Sequence, residues 1–281
     1  MNPVIDAHVH LTPPEIAGNR PRFLNGEGAW AALYHDPKAR MASTGELLAT
    51  MDEEGVDKAV VMGFPWSNED TARRHNEWLL NEAARLPERL IPLAAFDVLA
   101  PWAPRHAEAM LDSGMAGLGE LALYDRGFGR DELDVLADLG RLCRERDKFL
   151  MVHVNEPIGH KYPGKAPLEI SQIYELTRRC QGVRLLLAHF GGGLPFLASL
   201  KKEVKEALAL VRFDTAAMPF LFDPAALPMA LHILPAHYFL LGTDYPLLKP
   251  ARYRKYLEAA GLDEGGTAQI MGLAARDFLK I

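Results

Sequence analysis

Short apolar, strand-like runs recur at 4–11, 58–64, 90–97, 117–123, 149–155, 184–190, 210–216 and 238–243, and a helical pattern separates nearly all of them. This alternation constrains the fold more than any other feature, because parallel neighbours need crossover connections and a helix supplies them. The clearest intervening helices read at 69–86, 102–113, 132–146 and 168–180, and a closing helix reads at 267–279. Eight such units in 281 residues predict an α/β chain, a (β/α)8 TIM barrel forming a single domain over residues 1–281. A doubly wound open sheet is the alternative, and it loses because no GxGxxG follows the first run.

The strand ends carry the chemistry. His8 and His10 are two apart on the first strand and therefore share a face. Glu120, His153, His189 and Asp244 each stand near the C-terminal end of another apolar run. A charged or imidazole group in such a place is costly unless it is paired or binds a metal. In a barrel all strands point one way, so these residues converge at one mouth, where the active sites of such folds lie. A mixed nitrogen and oxygen donor set without thiolate suits a divalent metal such as Zn, Mn or Fe, with Zn the expected default, as one or two ions.

Composition excludes several classes. The formal net charge of -6 and the absence of any run of four Lys or Arg argue against nucleic acid as a partner. The segment 201–206 reads as a solvated helix face. Cys143 and Cys180 lack CxxC spacing, so neither a disulfide framework nor a zinc-thiolate site is expected. No apolar stretch approaches the ~20 residues of a membrane span, and the first strand begins too early for a signal peptide. The expectation is a cytoplasmic protein acting on a small-molecule substrate, with no membrane partner and with homo-oligomer formation left open.

Ser43 and Glu46 have capping-box spacing ahead of Leu47, Leu48 and Met51, which starts the first long helix. The connection from 12 to 42 is then long enough to be a lid or binding loop. Its Pro13, Pro14, Gly26, Gly28 and Pro37 predict irregular backbone, with Phe23, Trp30 and Tyr34 available to cover a pocket. Arg20, Arg22 and Arg40 in it are candidates to clamp a carboxylate, against the plainer reading of solvated arginines. The loop after the fifth strand, 155–165, offers His160, Tyr162 and Lys165 as candidate substrate contacts. Asp214, ending the seventh run, is a candidate for supporting the site or meeting substrate, while His35, His75, His106, His232 and His237 receive no catalytic role.

The chain resembles the amidohydrolase superfamily, and within it the Amidohydrolase 2 group of metal-dependent TIM-barrel hydrolases and decarboxylases. The resemblance rests on Ile5-Asp6-Ala7-His8-Val9-His10, on the stretch from Met51 to Val60, and on the His153 strand. It rests also on Leu187-Ala188-His189-Phe190-Gly191-Gly192 and Leu241-Gly242-Thr243-Asp244-Tyr245-Pro246. It implies metal ligation by His8, His10, His153 and Asp244, with His189 beside a metal-bound water. Gly119-Glu120-Leu121 is similar to the strand-four glutamate of TatD-type metal-dependent deoxyribonucleases, which adds Glu120 as a ligand and, in a two-ion site, as a bridge between ions held partly by His153 and His189. Asp244 and His189 are the implied catalytic pair, the first moving a proton and the second polarising a carbonyl. Met271-Gly272-Leu273 departs from the Gly-Asn pair common near the C-terminus of relatives, in a segment expected to lie away from the site.

The leading expectation is hydrolysis of a cyclic amide, lactone or ester through a metal-activated water. The alternative is nonoxidative decarboxylation or hydration of an aromatic or unsaturated carboxylic acid, which a cationic pocket would favour. A metal-holding protein without turnover is a third reading, which the joint presence of Asp244 and His189 disfavours.

Overall fold

The computed structural model describes residues 2–281. Its strands are β1 (Ile5–His10), β2 (Lys58–Met62), β3 (Leu90–Ala94), β4 (Gly117–Leu121), β5 (Phe149–Val152), β6 (Arg184–Leu187), β7 (Val211–Asp214) and β8 (Phe239–Leu240). Each pairs in parallel with the next in one sheet ordered β1 to β8. Between β8 and β1 the ring is drawn together by Ala7 N–H donating to the Leu241 carbonyl at 2.7 Å and His10 N–H to that of Tyr245 at 2.8 Å. The architecture is the (β/α)8 barrel.

The interior is filled by alternate residues of the strands: Ile5 and Ala7, Val60 and Met62, Leu93, Phe149 and Met151, Leu186 and Ala188, and Leu240. Ala274, Ala275 and Phe278 of the last helix join the same cluster and plug the barrel from below. Gly272 allows this approach, since a Cβ there would lie 1.9 Å from the Pro3 carbonyl oxygen. The opposite strand faces, including Val9, Val61, Leu118, Leu121, Leu150 and Phe213, belong to the outer core cluster.

Two strands break this alternation, and both carry candidate ligands. In β1 the register with β2 shifts between Asp6 and Val9, so Ile5 and Ala7 face inward below the shift and His8 and His10 join the site above it. In β4 the register with β5 shifts between Leu118 and Leu121, both of which face the outer core, and Glu120 falls between them. A bulge re-aims side chains in this manner, and bulges gather beside active sites.

The first connection differs from the expected irregular loop. It contains a helix at Pro14–Gly18, a 3-10 turn at Arg20–Phe23 and a helix at Gly28–Tyr34. Arg20 holds it closed by donating to the carbonyls of Tyr34, Asp36 and Ala39 at 3.3, 2.6 and 2.8 Å. Trp30 is buried against Tyr34, Trp66 and Phe64, with ring centroids 4.0, 4.4 and 5.0 Å away. The segment is therefore a folded wall of the mouth. The helix that follows, Thr44–Glu54, opens with the expected Ser43–Glu46 capping box. No helix among the described residues is long and apolar enough to cross a membrane. Cys143 and Cys180 are both buried and free, and burial pushes both thiols up to about 12, so they are inert at neutral pH.

Candidate metal centre and active-site cavity

Four imidazoles at the mouth are each anchored through one ring nitrogen. His8 Nδ1 donates to Asp214 Oδ2 at 2.9 Å, His10 Nδ1 to the Gly63 carbonyl at 3.1 Å, and His189 Nδ1 to the Ala216 carbonyl at 3.2 Å. His153 is anchored the other way round, its Nε2 donating to the Gly164 carbonyl at 3.0 Å. Every one of these partners only accepts, so each anchored nitrogen carries the N–H. The other nitrogen faces the centre, where it bears a proton towards a carboxylate, as His153 Nδ1 does towards Glu120 Oε1 at 2.9 Å, or gives its lone pair to an ion. Metal-bound histidines are held by outer partners in this way.

Those remaining nitrogens converge on carboxylates. Glu120 Oε2 lies 3.7 Å from His8 Nε2 and 3.5 Å from His10 Nε2, while Oε1 lies 2.9 Å from His153 Nδ1 and 3.4 Å from His189 Nε2. Asp244 Oδ1 lies 3.7 and 3.5 Å from His8 Nε2 and His10 Nε2. Two groups have donor atoms all within 4.8 Å of one another: His8, His10 and Asp244, and His8, Glu120 and His189. His153 belongs to neither group and reaches the cluster through Glu120. His8 Nε2 and His10 Nε2 face each other at 3.1 Å, an approach of two lone pairs that requires a proton or a cation between them. The donor set therefore fits a divalent ion.

Electrostatics within the cluster are strong. Burial opposes a charge on His8, but Asp214 and Glu120 outweigh it and hold the imidazole well above its ordinary value. Burial likewise opposes charge on Glu120, and His153 and His8 outweigh it, keeping the carboxyl well below its usual range. Burial and the neighbouring His8 charge push His10 down. The metal-free cluster thus stores a proton on His8, and an ion that takes this nitrogen must displace it. Metal uptake near pH 7 is expected to release protons, and its apparent affinity to fall as pH falls. Calorimetric titration in buffers of different ionisation enthalpy measures this, and uptake without proton release would contradict it. Without metal, the His8 contribution to stability is full below the unfolded value near 6.5 and is lost as pH rises through the higher folded value.

The two implied catalytic residues share a backbone feature. His189 and Asp244 have φ of 52° and 58°, in the left-handed region that side chains other than glycine seldom adopt. His189 N–H is held by Asp214 Oδ1 at 2.9 Å and Asp244 N–H by the His8 carbonyl at 3.0 Å. Asp214, fully buried, thus fixes both His8 and His189, the supporting role its strand-end position suggested. Next to it, a Cβ on Gly242 would lie 2.9 Å from Asp214 Cβ and 3.0 Å from His8 Cβ, so only glycine lets β8 approach the ligands. Asp214→Asn is expected to lower metal affinity about 10–100-fold with the fold retained. A metal titration monitored beside circular dichroism checks this.

The cluster forms the floor of a cavity of about 700 Å³, with His10, Glu120, His153, His189 and Asp244 exposed to it. Tyr34, Phe64, Tyr124 and Tyr162 are among its walls, and burial, helped by the charges of Glu120 and Asp244, pushes the Tyr34 and Tyr124 phenols up and keeps them protonated. Of the expected substrate contacts, His160 and Tyr162 line the cavity and Lys165 does not. Lys165 Nζ instead donates to Glu156 Oε1 at 2.6 Å and to the Ile158 carbonyl at 3.2 Å. Glu156, which the sequence reading passed over, also accepts from the Tyr162 hydroxyl at 2.8 Å and pins that wall. The first-loop arginines are spent elsewhere, Arg20 on carbonyls of its own segment, Arg22 beside Glu15 and Arg40 on the Pro246 carbonyl. His75 and His106 are buried in hydrogen-bonded core positions, His75 on the Leu11 carbonyl and His106 on Asn76.

The family model described as Amidohydrolase matches residues 5–281. The chain belongs to the amidohydrolase family. The comparison with curated proteins gives no match. Among solved structures, 5-carboxyvanillate decarboxylase from Sphingomonas paucimobilis superposes with a TM-score of 0.76 at 17% identity, covering 100% of both chains. A dihydroxybenzoic acid decarboxylase from a Polaromonas species, with bound manganese and the inhibitor 2-nitroresorcinol, gives 0.72 at 17% identity, covering 100% of this chain and 97% of the other. The 2,6-dihydroxybenzoate decarboxylase from Rhizobium gives 0.71 at 16% identity, covering 100% and 99%. Further neighbours carry only the amidohydrolase name.

These neighbours correct the leading expectation. Hydrolysis of an amide, lactone or ester gives way to the alternative, because the named activities of the superposing enzymes are decarboxylations of aromatic acids. The motifs could not make this choice, since one barrel and one donor set serve both chemistries. Zinc, the expected default, is likewise without support, and a neighbour holds manganese. What stands is a divalent-metal site of the amidohydrolase family.

Proposed function

We propose that the protein is a metal-dependent nonoxidative decarboxylase of an aromatic carboxylic acid. The observation that carries this reading is the cavity itself: its charged and imidazole donors are concentrated on the floor, and aromatic rings form much of its wall. Manganese is the proposed metal, in keeping with the nitrogen and oxygen donors and the absence of thiolate. His8, His10, Asp244 and Glu120 would hold it, and the second oxygen of Glu120, with His153 and His189, offers donors for a second ion. The cationic side chain expected to mark a decarboxylase is not among the described residues of this cavity, which no Lys or Arg lines. When bound there, the ion would supply the positive charge that a substrate's anionic oxygens need.

The chain's own groups then do the rest. The neutral Tyr34 and Tyr124 hydroxyls, which make no hydrogen bond to another described residue, are free to donate to a carboxylate or phenolic oxygen. Asp244, partly exposed to the cavity, would hold the ion through Oδ1, which faces His8 and His10, take up a proton from solvent on Oδ2 and deliver it to the ring carbon that bears the carboxylate. The bond from that carbon to the carboxylate then breaks, its electron pair restores the aromatic ring, and carbon dioxide leaves. Asp244 recovers the proton from solvent. His189 is anchored beside Glu120 and faces the same space. The test is to load the purified protein with manganese and follow carbon dioxide release from a panel of hydroxylated benzoates. Release with formation of the corresponding phenol is expected, and turnover of esters, lactones or cyclic amides with none of the acids would overturn the reading.

A further inference from the structure

Three of the large apolar side chains most exposed among the described residues surround this one opening. Ile158, Phe220 and Leu247 are 84%, 60% and 54% exposed, and all three line the cavity. They come from three separate connections, after β5, β7 and β8, Phe220 from a short helix at Met218–Leu221, and Leu33 and Leu221 continue the same surface. Scattered exposed leucines need no explanation, but a contiguous apolar rim on a functional cavity does. The volume leads the same way, since a cavity of ~150 Å³ already takes benzene and this one is about 700 Å³. Charge completes the pattern. The carboxylate of Glu156 is paired with Lys165 and accepts from the Tyr162 hydroxyl. Among the described residues no Lys or Arg lines the cavity, and the imidazole of His160 is the one basic side chain beside the rim.

We propose that Ile158, Phe220 and Leu247 form a distal subsite for an apolar substituent. The preferred substrate is then an aromatic monocarboxylic acid with an alkyl or aryl group on the ring edge opposite the carboxylate, and a second carboxylate at that edge is rejected. The carboxylate end of this assignment rests on the decarboxylase reading, whereas the apolar end rests on the rim alone. A second carboxylate would lose water against leucine, isoleucine and phenylalanine with no Lys or Arg to pair it. Burying each methylene of a tail there is favourable by the usual transfer energy, which corresponds to about three- to fourfold in affinity.

The experiment uses the manganese-loaded full chain with 2-hydroxybenzoate, its 4-methyl to 4-butyl homologues and its 4-carboxy derivative, reading the dissociation constant by calorimetry and carbon dioxide release in parallel. Affinity is expected to rise about three- to fourfold per methylene over the first few carbons, and the 4-carboxy compound to bind at least about tenfold more weakly than the parent. In the Phe220→Ser, Leu247→Ser double variant the ratio of butyl to parent affinity should collapse towards one. Equal affinity along the alkyl series, or a 4-carboxy compound bound as tightly as the butyl one, overturns the subsite. So does a dimer, seen by sedimentation, that dissociates in the double variant while the alkyl gain persists, because the rim then belongs to a second copy. An alkyl gain without carbon dioxide release leaves the subsite standing and removes the decarboxylase reading. Release without alkyl gain does the reverse, and no binding by any member removes both.

Discussion

Asp244→Asn is expected to keep much of its metal and lose at least about a hundredfold in turnover. The amide oxygen of asparagine still coordinates, and His8, His10 and Glu120 remain in place with donor atoms 3.1 to 3.7 Å apart. The backbone also tolerates the change, because asparagine and aspartate are among the side chains that best accept the left-handed conformation at φ 58°. What the amide cannot do is carry the proton to the ring carbon. General acid catalysis is worth about 10²–10⁴-fold, which sets the expected loss. Metal content by elemental analysis and turnover on an active benzoate separate the two effects. Near wild-type turnover would transfer the proton step to His189, whose Nε2 lies in the same space.

The barrel was legible because buried parallel strands are short apolar runs and their crossovers are amphipathic. Strand ends were read too long for a physical reason. The sixth run was read to residue 190, but β6 ends at Leu187, where His189, Phe190 and three glycines turn the chain through left-handed conformations at the mouth. The eighth was read as 238–243, and only Phe239–Leu240 pair, because the following residues turn to reach β1. Polar groups terminating apolar runs marked six converging residues, and the same signal marked Asp214. The bulges in β1 and β4 leave no trace in hydrophobic periodicity. The first connection was misread since its helices are too short to be stable alone and depend on Arg20 and the burial of Trp30. Of the aromatic wall, Tyr34 and Tyr162 were legible as residues over a pocket, whereas Tyr124 and Phe220 sit in or beside connections where no period places a side chain.

The double variant His8→Ala, His10→Ala should retain no metal while keeping the circular dichroism of the barrel. His8 contributes to both groups of mutually close donors and His10 to one, so neither group survives, and Glu120, His153 and His189, whose donor atoms are not all close to one another, are left as an incomplete set. The fold has independent support below the site, where Ile5, Ala7 and Phe149 pack on Phe278 and the rest of the interior cluster. Stability nonetheless falls. Asp214 is fully buried and loses the imidazole at 2.9 Å, although His189 N–H and Ala216 N–H still donate to it at 2.9 and 3.0 Å. Breaking a buried pair from one side costs about 3–5 kcal/mol, and the two retained hydrogen bonds place this case towards the lower end. A lowered melting temperature with unchanged secondary structure is therefore expected, together with a metal content near zero against one or two ions per wild-type chain. Retention of wild-type metal content in the double variant would remove His8 and His10 from the centre, and with them the site on which the proposed chemistry stands.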